Sequence, residues 1–204
     1  MKKPALLLLA ILAPSCGGTT SSVLYSGKDT AAHDGKLGII GDKTKDQVTV
    51  CRLDHLLSLD LPYAEDWKAD SSPEKLLFAS SAKAGVLASV ILFEPEKPVE
   101  DEAYLRDLLK KVQDGFEKRG GRFKEIAYSR HRGVTDNVVL EYVAEMTLER
   151  GAPFRQKHFW SVRQENGRLY QVHLSTLKVA EPQLSALHDR LRDAAGRSFI
   201  VLPR

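Results

Sequence analysis

Apolar and polar positions alternate along much of the chain, and this period of two predicts β-strands. Leucines alternate with polar residues over 57–61 until Pro62 ends the run. Other strand-like runs lie at 47–51, 76–80, 86–93, 123–130, 154–164 and 169–177. A longer run, from Leu140 to Glu149, has one apolar face and one largely acidic face. We expect that acidic face to be solvated; it is formed by Glu141, Glu145 and Glu149.

Two segments repeat apolar residues at intervals of three and four, which is typical of one face of a helix. The clearer segment spans 99–119 and carries Leu105, Leu108, Leu109, Val112 and Phe116. Acidic residues in its first turn and basic residues toward its end complement the helix dipole, and Gly120-Gly121 ends it. A second helix is predicted from Pro182, because proline fits the first helical position, through Leu191 and beyond.

Asn166-Gly167, between two strand-like runs, is the strongest hairpin signal in the chain. If these two residues form the turn, Trp160 faces His173 and His158 faces Ser175 across the hairpin. His158, Trp160 and His173 then share one face of the sheet. We predict a binding face there, formed by those three side chains.

Consecutive strands joined by short turns pair antiparallel, and the two helices interrupt the strands. The pattern therefore indicates an α+β fold with a central antiparallel sheet flanked by helices. No transmembrane helix, heptad run or internal repeat follows the N-terminal segment.

The order of elements resembles the PsbP-like fold, shared by the oxygen-evolving-complex subunit PsbP, the Ran-binding Mog proteins and small bacterial lipoproteins of the DcrB type. The resemblance covers 47–202 and consists of pattern and spacing. It rests on Leu59-Asp60-Leu61-Pro62 followed by Trp67, Phe93-Glu94-Pro95 before the helix, Gly133 before the long strand, Gly167-Arg168-Leu169-Tyr170, and Arg197-Ser198-Phe199. It implies an α/β/α sandwich that binds partners and does not imply an enzyme.

The first residues have the composition of a secretory signal peptide, with two lysines before an unbroken apolar stretch from Ala5 to Ala13. That stretch is too short to span a bilayer, which takes about 20 residues. The following Leu12-Ala13-Pro14-Ser15-Cys16 resembles a bacterial lipobox, whose cysteine receives a diacylglycerol and becomes the new N-terminus. Acyl chains such as palmitate on Cys16 would anchor the chain in a membrane.

The resemblance to lipoproteins also predicts location. In such lipoproteins an aspartate after the cysteine often retains the protein in the inner membrane. This chain has Gly17 at that position, which by resemblance implies the outer membrane if the cell has one. We expect a signal peptide at 1–15, a lipidation site and flexible tether at 16–46, and the globular domain at 47–204.

An alternative at this end stays open, because Ala13 and Ser15 also suit ordinary signal peptidase. Without a lipid, Cys16 could form a disulfide with Cys51 and stabilise the fold by about 4 kcal/mol in the chain-entropy model. Cys51 lies in a strand-like run, however, and we favour an inert, buried thiol there.

Composition excludes several classes of function. The formal charge of +3 falls to +1 when Lys2 and Lys3 leave with the signal peptide, which is too small to predict a nucleic-acid partner. Two cysteines exclude a disulfide-dense scaffold and a four-cysteine zinc site. The sequence has no nucleotide-binding, zinc-protease, dithiol or nucleophile-elbow motif, so we predict no enzyme, no catalytic residues and no cofactor.

Two functions remain. The first is a non-catalytic lipoprotein of the cell envelope, attached through Cys16, that docks an envelope protein at the membrane surface. The alternative is a periplasmic carrier that holds a small ligand or a metal at His158, Trp160 and His173. Two histidines make an incomplete metal site without a third ligand, and none is identifiable, so no metal site is predicted.

Overall fold

The computed structural model describes residues 31–33, 37–52, 55, 57–72, 75–118, 120–132, 137–147, 152–179 and 184–197. The predicted signal peptide and Cys16 lie outside these residues. None of the described helices is both long enough and apolar enough to cross a membrane.

The described residues form two antiparallel sheets and two α-helices. The four-stranded sheet contains, in spatial order, β1 (Ala31–His33), β2 (Leu37–Asp42), β3 (Gln47–Arg52) and β4 (Leu57–Pro62). The seven-stranded sheet contains, also in spatial order, β5 (Lys68–Asp70), β6 (Leu77–Ser81), β7 (Val86–Phe93), β11 (Arg168–Thr176), β10 (Phe154–Glu165), β9 (Val138–Thr147) and β8 (Arg122–Arg132). The helices are α1 (Asp101–Glu117) and α2 (Ser185–Arg197). The α+β prediction is confirmed.

The two helices pack on opposite faces of the seven-stranded sheet. Helix α1 packs against β8, β9 and β10, and α2 packs against β9, β10 and β11 on the other face. The four-stranded sheet lies on the α2 side, where its leucines and valines join one core with Phe159, Val172 and Leu191. We call the two sides of the seven-stranded sheet the α1 face and the α2 face.

The folded body begins earlier than the sequence predicts. Residues 37–46, predicted as tether, form β2 and a short 3-10 turn (Lys43–Lys45) of the four-stranded sheet. Leu37 and Ile39 are buried in the core, and β2 pairs with β3 along its whole length. Glycines between these apolar residues gave the segment the composition of a linker, whereas pairing with β3 holds it in the sheet.

Helix α1 has the ends that the sequence predicts. The Glu100 carboxylate accepts hydrogen bonds from the backbone N–H groups of Glu102 and Ala103, which caps the first turn. Gly120, with φ of 77°, takes the left-handed conformation that ends the helix. Gly121 lies so close to the Phe116 ring that a Cβ atom there would collide with it.

The β10–β11 hairpin has the predicted turn and register. Asn166 and Gly167 both have positive φ, 52° and 75°, as a type I′ turn requires. Trp160 faces His173 and His158 faces Ser175, which confirms the predicted pairing. Because side chains alternate along a strand, this register sets which residues of β10 reach the α1 face and which reach the α2 face.

Candidate functional site

The candidate site lies on the α1 face, where β9, β10 and β11 are neighbours. Tyr142 of β9 faces His158, and His173 of β11 faces Trp160. His158 and His173 are diagonal neighbours across the hairpin, and their stacked rings are nearly parallel, at an interplanar angle of 10°. The structure thus brings the three sequence-predicted residues together and adds Tyr142, which sequence reasoning missed.

The four rings form a continuous array. Centroids are 4.6 Å apart for Tyr142 and His158, 5.2 Å for His158 and His173, and 3.9 Å for His173 and Trp160. The Trp160 indole N–H also donates a hydrogen bond to the Tyr142 hydroxyl, with a nitrogen–oxygen distance of 3.1 Å. These contacts fix the orientation of every ring in the array.

The two histidines form a neutral hydrogen-bonded pair. His158 Nδ1 and His173 Nε2 are 3.0 Å apart, so one of the two nitrogens carries the shared proton. Burial lowers the pKa of His173 to about 3. Burial also lowers the pKa of His158 well below its ordinary value, and the neighbouring His173 lowers it further. Neither imidazole carries a charge at neutral pH.

His158 leaves its second nitrogen unused. The side chain is only 3% exposed, and within the described part of the chain its Nε2 atom has no hydrogen-bond partner. An unpaired buried polar atom lowers the free energy of unfolding by roughly 1–3 kcal/mol, so such atoms are rare in folded proteins.

His158 lines a cavity of about 30 Å³, here called the His158 cavity, which has room for about two water molecules. Its walls are mostly apolar and aromatic. They include Phe78, Leu87, Ala88, Val112, Phe123, Tyr142, Met146 and Trp160, together with Lys75, Ser89, His173 and Ser175. Lys75, Phe78, Leu87 and His173 are half-buried, whereas the other walls are buried, so the cavity meets solvent beside those four residues.

A second polar group in the cavity comes from Ser175, directly across the hairpin from His158. Its hydroxyl oxygen accepts a hydrogen bond of 2.9 Å from the side-chain amide of Gln156. Ser175 and Gln156 are both buried. The register prediction already placed Ser175 opposite His158, although the alternation pattern gave no reason to treat it as a site residue.

A metal is not the occupant that these groups fit. Among the described residues, no group of three or more His, Cys, Asp and Glu side chains is arranged to hold one. His158 Nδ1 and His173 Nε2 are engaged with each other, which leaves the pair one further nitrogen on each ring, too few for a metal site without a third ligand. The groups present suit a small molecule that forms hydrogen bonds inside an apolar enclosure.

The α2 face of the same sheet carries a contrasting cluster around Glu141. The sequence predicted that Glu141 would be solvated, and this is wrong: it is only 6% exposed. Its carboxylate contacts Lys157 Nζ at 2.5 Å, an Arg192 guanidinium nitrogen at 2.7 Å and His131 Nε2 at 3.2 Å. The error has a physical cause: α2 returns from the far end of the chain and covers this part of β9.

The pKa of Glu141 reflects these contacts. Burial acts to raise it, but hydrogen bonds from Lys157 and Arg192 outweigh burial and hold the pKa below its ordinary value. Lys157 also contacts His188 Nδ1 at 3.3 Å, and His188 Nε2 donates to the Lys178 carbonyl at 2.7 Å. The cluster therefore fastens α2 to the sheet. The other predicted acidic positions differ: Glu145 is half-buried and pairs with Arg155, and Glu149 lies outside the described residues.

Within the described ranges, Cys51 is a free, buried thiol, and Cys16, its alternative disulfide partner, lies outside them. The Cys51 sulfur contacts the Gly38 carbonyl at 3.6 Å, and burial raises its pKa. These observations agree with an inert strand thiol. Lipidation of Cys16 stays a prediction.

No family model matches the chain, and no curated protein matches it. Among solved structures, the chain is similar to the solution structure of cyanobacterial PsbP (CyanoP) from Synechocystis sp. PCC 6803. The sequence identity is 17%, the TM-score is 0.46, and the alignment covers 93% of this chain and 98% of that one.

Proposed function

We propose that this protein is a non-catalytic carrier of a small ligand, held in the cell envelope by a lipid on Cys16, and that the ligand binds in the His158 cavity. The observation that carries the proposal is the His158 Nε2 atom, which has no hydrogen-bond partner among the described residues and lies in a mostly apolar cavity. Convergent polar groups inside an apolar enclosure are typical of small-molecule sites. Neutral histidines suit binding of this kind, because they form hydrogen bonds without bringing a charge into the site.

Native mass spectrometry tests the carrier function. The protein is extracted from membranes without denaturation, and its mass is compared with that of the denatured chain. We expect a small-molecule adduct on the natural protein that is absent from His158→Phe, which keeps a ring in the array but removes both nitrogens. His55→Phe is the matched control, since His55 is not among the residues lining the cavity, and it should keep the adduct. An adduct that survives His158→Phe would overturn the assignment to this cavity.

The anchor is tested separately by intact mass and membrane fractionation. We expect an acyl mass on Cys16 and loss of membrane association in Cys16→Ser. A Cys16→Ser protein that is still processed and still partitions with membranes after a high-salt wash would contradict lipid anchoring. Outer-membrane location is a further prediction, checked by separating the two membranes.

Docking of an envelope protein, the first hypothesis from the sequence, stays a prediction. Among the described residues, Leu177 is the exposed large apolar side chain, at 60% exposure. A single exposed apolar side chain does not by itself mark a docking surface. A stoichiometric envelope protein recovered by crosslinking, together with no small-molecule adduct, would favour docking over the carrier function.

A further inference from the structure

The ligand's chemistry can be narrowed from the two polar groups that meet in the His158 cavity. His158 and Ser175 face each other directly across the β10–β11 hairpin, so their side chains leave the sheet side by side. Both are buried, and both line the cavity. A ligand group that reaches one of them is therefore within reach of the other.

The hydrogen-bonding roles of this pair favour a group that both donates and accepts. Because the Gln156 amide donates to the Ser175 oxygen, the hydroxyl proton of Ser175 is left to donate elsewhere. His158 Nε2 is a donor if His173 supplies the shared proton, and an acceptor if His158 does. A ligand hydroxyl satisfies Ser175 and His158 in either case. A carboxylate can only accept, and an ammonium can only donate.

Charge disfavours an ionised ligand. Burial keeps His158 and His173 neutral, so neither offers a counter-charge to a carboxylate or an ammonium group. Lys75 is the charged side chain among the lining residues, and its ammonium lies over the Phe78 ring, 5.1 Å from the centroid, on the side that meets solvent. Burying a charge beside His158 would carry a desolvation cost without a close partner.

The size of the cavity sets how much of the ligand enters. A volume of about 30 Å³, with room for about two water molecules, accepts a hydroxyl group and the carbon atom that bears it. The rest of a longer ligand would leave past Phe78 and Leu87, which are half-buried and apolar. An apolar body attached to the hydroxyl suits those walls.

We infer that the His158 cavity accepts the hydroxyl end of an uncharged, otherwise apolar ligand. This inference rests on the proposed function and names its ligand class. It assigns His158 and Ser175 as the two residues that bind the hydroxyl, while Gln156 positions the Ser175 hydroxyl.

A matched series of probes tests the inference: 1-butanol, butyrate and butylammonium. Each carries a short alkyl chain of three or four carbons, and they differ in head group. Each is titrated into the processed chain while the imidazole nitrogen resonances are followed by NMR. We expect 1-butanol to shift the His158 Nε2 resonance saturably, and the two ions to bind at least tenfold more weakly. Ser175→Ala should weaken 1-butanol binding several-fold. In His158→Phe, followed through the His173 ring nitrogens, the saturable response to 1-butanol should be absent. Ser80→Ala is the control, because Ser80 is a β6 serine that does not line the cavity, and it should change nothing.

Two results would overturn the inference. Butyrate binding at least as tightly as 1-butanol, with loss of that binding in Lys75→Met, would make the cavity an anion site. No response to any probe would mean that the cavity holds water alone or a ligand of another class. If no probe gives a response, native mass spectrometry decides about the carrier function. An adduct on the natural protein that is lost in His158→Phe would support the carrier function without this ligand class, and no adduct on the natural protein would contradict both the ligand class and the carrier function.

Discussion

The two faces of the seven-stranded sheet bury polar groups in opposite ways. On the α2 face, the Glu141 carboxylate is met by Lys157, Arg192 and His131, so each of its oxygens has a partner. On the α1 face, one His158 nitrogen is bonded to His173, and the other lies in a cavity with no partner in the described part of the chain. Both clusters are built from adjacent residues of the same strands, 141 and 142 on β9 and 157 and 158 on β10.

The difference separates a structural role from a binding role. The buried ion cluster around Glu141 joins α2 to the sheet, and both carboxylate oxygens are already paired, so neither is free to bind a ligand. A buried imidazole with an unused nitrogen costs stability in the empty protein, and a ligand that pairs with it recovers that cost. The pairing state of buried polar atoms, and not their burial alone, thus distinguishes the two faces.

The largest expected effect comes from breaking the α2-face cluster. Glu141→Gln removes the carboxylate charge that Lys157 and Arg192 both contact, and should lower the free energy of unfolding by about 3 kcal/mol. Urea unfolding measures it. Glu145→Gln on the same strand is the control, because its partially exposed pair with Arg155 should contribute less than about 1 kcal/mol. Equal losses in the two variants would contradict the structural role of Glu141.

Acid should affect the two faces in different pH ranges. His158 and His173 have a lowered pKa, so below the ordinary histidine value of 6.5 the unfolded chain binds protons that the folded protein does not. Stability is therefore complete above pH 6.5 and falls as the pH drops, by up to about 1.4 kcal/mol per pH unit for each histidine. Glu141 also has a lowered pKa, but its contribution is lost only below the ordinary value of 4.5.

Unfolding midpoints in urea from pH 8 to pH 5 measure this difference. The variant with both His158→Phe and His173→Phe should show a flatter decline below pH 6.5 than the natural protein. His131, whose pKa is also lowered by burial and by Arg192, is unchanged in both proteins and supplies a common background slope. An identical decline in the two proteins would show that the histidine pair is not held neutral.

Overpacking tests how α1 covers its face. In Gly121→Ala, the added methyl group would collide with the Phe116 ring, which packs against Phe123 beside Tyr142. We expect a loss of about 1–3 kcal/mol and a shift of α1 relative to the sheet. The Tyr142 and His158 resonances should move with it, since both line the cavity that α1 borders through Val112. A change in stability with no change in those resonances would separate α1 packing from the site.

The smallest loss of stability is expected at the Asn166-Gly167 turn, which joins β10 to β11. Gly167→Ala meets no atom within 4 Å but forces an alanine into positive φ, so it should cost about 1 kcal/mol. Urea unfolding detects it, and the ligand-binding behaviour of the cavity should persist. Loss of binding without unfolding would mean that the register of the hairpin had slipped.

Local features were predictable because local chemistry determines them. Asn166-Gly167 favours a two-residue turn, and that turn alone fixes the pairing of His158 with Ser175 and of Trp160 with His173. The 3-4 spacing and the terminal glycines likewise predicted α1 to within two residues of its observed ends. Three residues of the candidate site could thus be placed together from the sequence.

Long-range features were not predictable from the pattern. Alternation assigns Glu141 and Tyr142 to opposite faces of β9, but it does not say what covers either face. Arg192, which pairs with Glu141, lies 51 positions away in α2. The start of the fold was missed for a similar reason, because β2 is held by its pairing with β3 and carries little strand signal of its own.

The most direct test of the account is the imidazole nitrogen NMR spectrum of His158 and His173, recorded from pH 8 to pH 5. The account requires both rings to stay neutral throughout, each with one protonated and one bare nitrogen, and it requires the His158 Nε2 signal to move when a ligand enters the cavity. Titration of either ring near pH 6.5, or a His158 Nε2 signal that no ligand of the natural protein perturbs, would contradict it.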